Sequence, residues 1–349
     1  MDFSGIVIPF QTNRPLTEME RVHQLHQKRR LDIAPRYQQS VIRLNSTYLE
    51  SVDKWHGWKG MVSAITFAVF LIFAVNGAQM AGLWLLEAAG ILHSTLETGV
   101  LLANGLAMTA VVGLVTWLCI RVLRKESFAY THYPLRFNRK SRMVYVWRID
   151  GTVLAVRWDD VFFTLAYVGG AWEVRGHVLA ADNSTIVESF ALSYSGVLTA
   201  RDLDPATTRY SDQDFVRGHW EFVRRYMEDG PPAVAEHVGF CMPLDGRRET
   251  AMGGIHRVLA NFSGGSWVMI AVMAPFCVLI GVARIFAMRT SRIPQWPAEI
   301  DAACAVEVGD PYAIAGDSAG NRVAVYPEAA EAAGVVFTGR PVPQSRLNI

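Results

Sequence analysis

Three stretches without one Asp, Glu, Lys or Arg constrain this chain more than any other feature. They are residues 60–86, 98–120 and 258–283, the last densest from 267 onward. Each is longer than the roughly 18–20 apolar residues that cross about 30 Å of hydrocarbon as a helix. A buried core helix seldom stays uncharged around its whole circumference for five turns, so the first two read as membrane segments. With 59 residues before it, the first block is not a signal peptide.

Flanking charge gives the direction. Lys28, Arg29, Arg30, Arg36, Arg43, Lys54 and Lys59 precede the first block, and Arg121, Arg124 and Lys125 follow the second. The connection between them, residues 79–97, has Glu87, His93 and Glu97 but no Lys or Arg. Positive flanks inside and an acidic loop outside predict a transmembrane hairpin at 59–125 with both ends, and the N-terminus, in the cytoplasm. The third block has arginines on both sides and Pro275 in its middle. The favoured reading is one crossing by a third membrane helix at 263–288, which puts 289–349 outside as a partly ordered tail. A re-entrant or surface-lying helix keeps that tail in the cytoplasm.

Between the second and third blocks the pattern changes from helical to alternating. Residues 143–148 and 152–158 read as strands joined at Asp150-Gly151, a pair that favours a type I′ turn with positive φ at both positions. Residues 161–168, 171–180 and 185–192 follow, separated by Gly169-Gly170 and Asp182-Asn183-Ser184. Strands at such spacing predict an antiparallel meander. Ser211 is then a candidate helix cap, with Asp212 and Asp214 suiting the helix dipole. Val216, Trp220, Phe222, Val223, Tyr226 and Met227 form an apolar face, and Gly230-Pro231-Pro232 ends the helix. The fold class is therefore an α+β membrane protein, and the meander capped by a helix at 126–235 resembles a pleckstrin-homology-like (PH-like) domain. A cytoplasmic N-terminal region (1–58) with a basic amphipathic helix at 17–31 precedes the hairpin, and a linker (236–262) leads to the third helix.

Composition excludes several functions. Lys plus Arg number 33 against 32 for Asp plus Glu, so no net charge favours nucleic acid. Cys119, Cys241, Cys277 and Cys304 show no CxxC spacing, which excludes a zinc ribbon or disulfide scaffold. His23 and His26 lack companion ligands, so no metal and no cofactor is expected. Asp159 and Asp160 are adjacent on an extended chain and point apart. Gly316-Asp317-Ser318-Ala319-Gly320 matches G-x-S-x-G, but the triad of that motif needs a later His and the last is His256. No catalytic residue emerges.

Two constellations remain as binding candidates. Tyr145, Trp147 and Trp158 on the strands and Trp220 on the helix are candidate protein-partner contacts, since aromatics dominate interface energetics. Arg136, Arg139, Lys140 and Arg142 form a basic stretch close to the second hydrophobic block and are candidate lipid-headgroup contacts.

Several segments together carry a family resemblance. They are Pro134-Leu135-Arg136-Phe137-Asn138-Arg139, Asp150-Gly151-Thr152 through Trp158, residues 220–232, and Trp296-Pro297 through Ile300 with Asp310-Pro311-Tyr312. The chain resembles an uncharacterised family of proteobacterial inner-membrane proteins with a transmembrane hairpin before a β-rich domain, found beside type VI secretion effector genes. The resemblance implies a non-enzymatic, effector-associated or immunity-like protein whose partner is an effector or secretion component. The other readings are a lipid- or envelope-stress-sensing module and a membrane-active toxin.

Overall fold

A computed structural model describes residues 10–168, 171–193, 212–239, 241–260 and 267–315. The protein is α+β, with two antiparallel sheets and three helices long and apolar enough to cross a membrane among the described residues. Two compact units divide the chain. A sheet unit draws on Met1–Trp58, Tyr130–Cys277 and Arg292–Ile349; a helical unit draws on Lys59–Ala129 and Val278–Ser291. Ser211, the Gly316 to Gly320 motif and the remaining tail lie outside the described residues.

The sheet unit contains eleven strands among the described residues: β1 (Arg14–Pro15), β2 (Gln24–Leu25), β3 (Val41–Leu44), β4 (Tyr48–Ser51), β5 (Leu135–Asn138), β6 (Met143–Trp147), β7 (Val153–Arg157), β8 (Val161–Val168), β9 (Ala171–Leu179), β10 (Thr185–Ala191) and β11 (Ile314–Ala315). One sheet runs β11-β3-β4-β5-β6-β7 and the other β1-β10-β9-β8-β2. The five strands expected between 143 and 191 are present, but they do not form one continuous meander: β6 and β7 lie in the first sheet and β8 to β10 in the second, and both sheets also take strands from outside this stretch. Tyr48 lies opposite Asn138 and Ser51 opposite Leu135, so β4 and β5 are antiparallel neighbours although residues 52–134 separate them.

Local chemistry explains the turns. Gly151 has φ +86° while Asp150 is not left-handed, so the Asp-Gly connection is not type I′. Asp150 instead accepts from the Thr152 amide (2.9 Å) and hydroxyl (2.7 Å), and the strands end one residue sooner than the sequence pattern predicts. At 182–185 the Asp182 carboxylate accepts from Ser184 and Thr185, and Asn183 takes φ +53°.

Alternation then builds the core. Leu49, Leu135, Phe137, Val144, Val146 and Val156 point inward and pack with Trp158, Phe163 and Phe190. Helix α5 (Asp212–Glu228) closes this core with Val216, Trp220, Phe222, Val223, Tyr226 and Met227, all buried. Trp220 stacks on Trp158 (centroids 5.5 Å apart) and leans on Phe163 at 4.7 Å. Truncating either tryptophan to alanine would cost about 3–5 kcal/mol. Gly230 (φ +90°) ends α5, and Pro231 follows as expected.

Three sequence readings change. Residues 10–58 are part of the sheet unit, and the expected basic helix at 17–31 is short. The helix α1 (Glu18–Val22) begins with a Thr17–Glu20 capping box and gives way to β2. Residues 292–315 are likewise built into the sheet unit: β11 pairs with β3, which pairs with β4. A single crossing that strands this segment on the far side of a bilayer from 126–235 contradicts that pairing.

In the helical unit, a continuous helix is formed by α2 (Met61–Val69), a π-helical stretch (Phe70–Val75) and α3 (Asn76–Ala88). It packs along α4 (Thr98–Glu126). Gly77 faces Val112 and Gly105 faces Leu85, so the two helices run antiparallel and their small residues allow close approach. The Glu126 carboxylate accepts from the Gly60 amide (2.9 Å) and the Ser63 amide (2.6 Å), satisfying orphan donors at the start of α2. Lys59 Nζ donates to the Glu126 carbonyl, and Arg284 Nη1 donates to the Lys59 carbonyl, both at 3.0 Å.

Candidate functional site

The period of two that fills the core also sends Arg43, Tyr48, Glu50, Arg136, Asn138, Tyr145 and Trp147 to the outer face of the six-stranded sheet. The segment after α7 (Trp267–Thr290) covers that face. Trp296 meets Trp147 (5.5 Å) and Tyr145 (6.5 Å) edge-on. Arg136 lies between the rings of Tyr48 (4.5 Å) and Trp296 (4.6 Å). Its guanidinium donates to Glu50 at 2.9 Å and to Asp301 at 2.7 Å, and Trp296 Nε1 donates to the other Glu50 oxygen at 3.0 Å.

Helix α8 (Ala298–Ala303) carries Asp301 into place, and Asn138 Nδ2 donates to the Ala303 carbonyl at 2.7 Å. Asp310 accepts from the Ser46 amide (2.6 Å) and hydroxyl (2.7 Å) at the turn between β3 and β4. Electrostatics follow this geometry. Burial alone would lower the Arg136 pKa, but Glu50 and Asp301 outweigh it and hold the guanidinium above its ordinary value. Burial pushes the Cys304 thiol up, so it is not an activated nucleophile.

The aromatic candidates are therefore not open contacts. Trp158 and Trp220 are fully buried in the core, and Tyr145 and Trp147 are buried beneath residues of the chain itself. The basic candidates are also committed within the chain. Arg136 pairs with Glu50 and Asp301, Lys140 with Glu307, and Arg142 with Asp159 and Glu228. Arg139 lies against Gly230, with its Nε buried. These four side chains do not make an open cationic surface.

The fold brings together groups that no sequence spacing signals. His177 Nδ1 is 2.7 Å from Ser189 Oγ, and its Nε2 is 3.5 Å from Glu20 Oε1. All three residues are buried, and Arg14 already pairs with Glu20. A serine enclosed in this way meets no substrate, so the row ties α1 to β9 and β10. Nearby, buried Lys54 pairs with Glu173, and Arg175 donates to the other Glu173 oxygen. His23 and His26 share no metal-ligating cluster; among the described residues no group of three or more His, Cys, Asp or Glu has metal-binding geometry.

The surface does leave apolar side chains uncovered elsewhere on the sheet unit. Met19 and Val22 on α1 are 63% and 68% exposed, and Tyr167 on β8 is 60% exposed. Tyr167 packs on Trp172, which in turn meets His23 at the end of α1.

Residues 112–308 match the model of a family of unknown function (DUF6708), and the chain belongs to that family. The match starts within α4 and runs through α8, so it takes in the aromatic clasp of Arg136 and Trp296. No curated protein and no solved structure matches the chain.

Proposed function

We propose that the chain is a non-enzymatic, multi-pass inner-membrane protein whose PH-like sheet unit faces the cytoplasm and binds a protein partner. The observation that carries this reading is the insertion point of the hydrophobic helices. The first two, α2–α3 and α4, interrupt the chain between β4 and β5, two hydrogen-bonded neighbours, so both ends of that insertion are fixed in one sheet. A domain held at two points of a sheet stays at the bilayer and presents its surface there at high effective concentration. The strand order β4-β5-β6-β7, then β8 to β10, then α5, is consistent with a PH-like layout. The basic flanks of the first two hydrophobic blocks support a cytoplasmic N-terminus.

With Tyr145, Trp147, Trp158 and Trp220 buried, the partner surface moves to the exposed apolar side chains Met19 and Val22 on α1 and Tyr167 on β8. The resemblance to proteins found beside type VI secretion effector genes makes an effector or secretion component the partner class. Affinity purification of the tagged full chain from solubilised native membranes tests this. Such a component should co-elute near one-to-one, and the double variant V22D/Y167D should lose it at least tenfold with its melting temperature unchanged. Elution with lipid alone, or full retention by the variant, contradicts the reading.

A further inference from the structure

Helix α6 (Ala251–Ala260) is turned the wrong way for water. Gly253, Gly254, Arg257 and Val258 are buried, whereas Met252, Ile255 and Leu259 are 50%, 37% and 45% exposed. At 100° per residue the three exposed side chains fall on one narrow stripe, and the buried ones fall opposite. Water-facing helices do the reverse, placing charge outward and an apolar stripe toward the core. Here Arg257 faces the protein, with Nη2 3.2 Å from where a Cβ on Gly57 would stand.

We infer that α6 is an interfacial anchor, lying in the membrane surface with Met252, Ile255 and Leu259 in the acyl region of a lipid leaflet. The occupant is fixed by chain continuity. The helix packs on the short 3-10 turn His56–Trp58, which ends three residues before the first hydrophobic helix starts at Met61. Seven residues after α6 ends, α7 begins. Short amphipathic helices at such junctions bury their apolar face at the headgroup–acyl boundary.

This inference rests on the membrane reading above, and the test separates the two. A fluorescent amino acid is introduced by codon suppression at Ile255 in the full chain, reconstituted in phosphatidylethanolamine–phosphatidylglycerol vesicles with and without nitroxide-labelled acyl chains. Val111 on α4 and Val187 on β10, both exposed, serve as the membrane and water references. Quenching at Ile255 should reach at least half that at Val111, with less than a tenth at Val187. Quenching at Val111 but not at Ile255 overturns the anchor and leaves the membrane reading standing. No quenching at Val111 overturns both. Met252 and Leu259 are read in the same way, so one ill-folded variant does not decide the outcome.

Discussion

Trp296 lies over the guanidinium of Arg136 at 4.6 Å, and both donate to the carboxylate of Glu50. The two residues are 160 positions apart, on either side of the hydrophobic α7. Their contact fixes the segment after α7 on the sheet. Removing Arg136 would leave Glu50 buried without its partner, and breaking a buried pair from one side costs about 3–5 kcal/mol. R136A should therefore lower the melting temperature of the purified chain and expose residues after Arg292 to limited proteolysis. K140A removes only an exposed pair with Glu307 and should cost about 0–1 kcal/mol.

Gly60 is a sharper test of the helical unit. It takes φ +99°, and a Cβ there would stand 2.6 Å from the Arg284 amide nitrogen. Gly90 also has positive φ (+74°), but open space lies around its missing side chain. G60A should lower detergent-solubilised stability by about 2 kcal/mol more than G90A, because it adds a backbone clash to the conformational cost they share. Equal melting temperatures for the two variants would contradict the packing of Arg284 on Gly60.

Acid should weaken the sheet unit through His219. Burial holds its pKa down to about 4, against an ordinary 6.5. Above pH 6.5 the ring is neutral whether folded or unfolded, so it adds no pH dependence. Between pH 6.5 and 4 the unfolded chain takes up a proton that the folded chain refuses, and stability falls as pH falls. The folding equilibrium should lose up to about tenfold per pH unit from this group. Chemical denaturation across that range should show a shallower pH slope for H219Q than for the native chain. His177, lowered by burial in the same sense, leaves a residual slope.

Much of the fold is legible in the sequence because it rests on local chemistry. The charge-free blocks, the strands from β6 to β10 and the apolar face of α5 all follow from periodicity and turn residues. What is not legible is set by long-range pairing. The strands β3 and β4 are four residues each, and β5, the partner of β4, lies beyond residues 52–134, so no local pattern links them. For the same reason Arg136 looks like a free cation and Trp147 like an open aromatic. Only the return of Asp301 and Trp296 to the sheet shows that both are used within the chain. The inversion of α6 is hidden too, because a stripe of Met252, Ile255 and Leu259 normally marks a core face.

The central proposal is that the hydrophobic helices are insertions in a sheet unit that stays wholly on the cytoplasmic side of the membrane. Labelling with a membrane-impermeant thiol reagent in intact cells tests it, with T95C in the connection between α3 and α4 and V308C after α8, each read against the unmodified chain. Both positions are exposed, and Val308 stands fully open. The account predicts labelling of position 95 in intact cells and of position 308 only after lysis. Labelling of position 308 in intact cells while position 95 stays protected, or labelling of both before lysis, would contradict it.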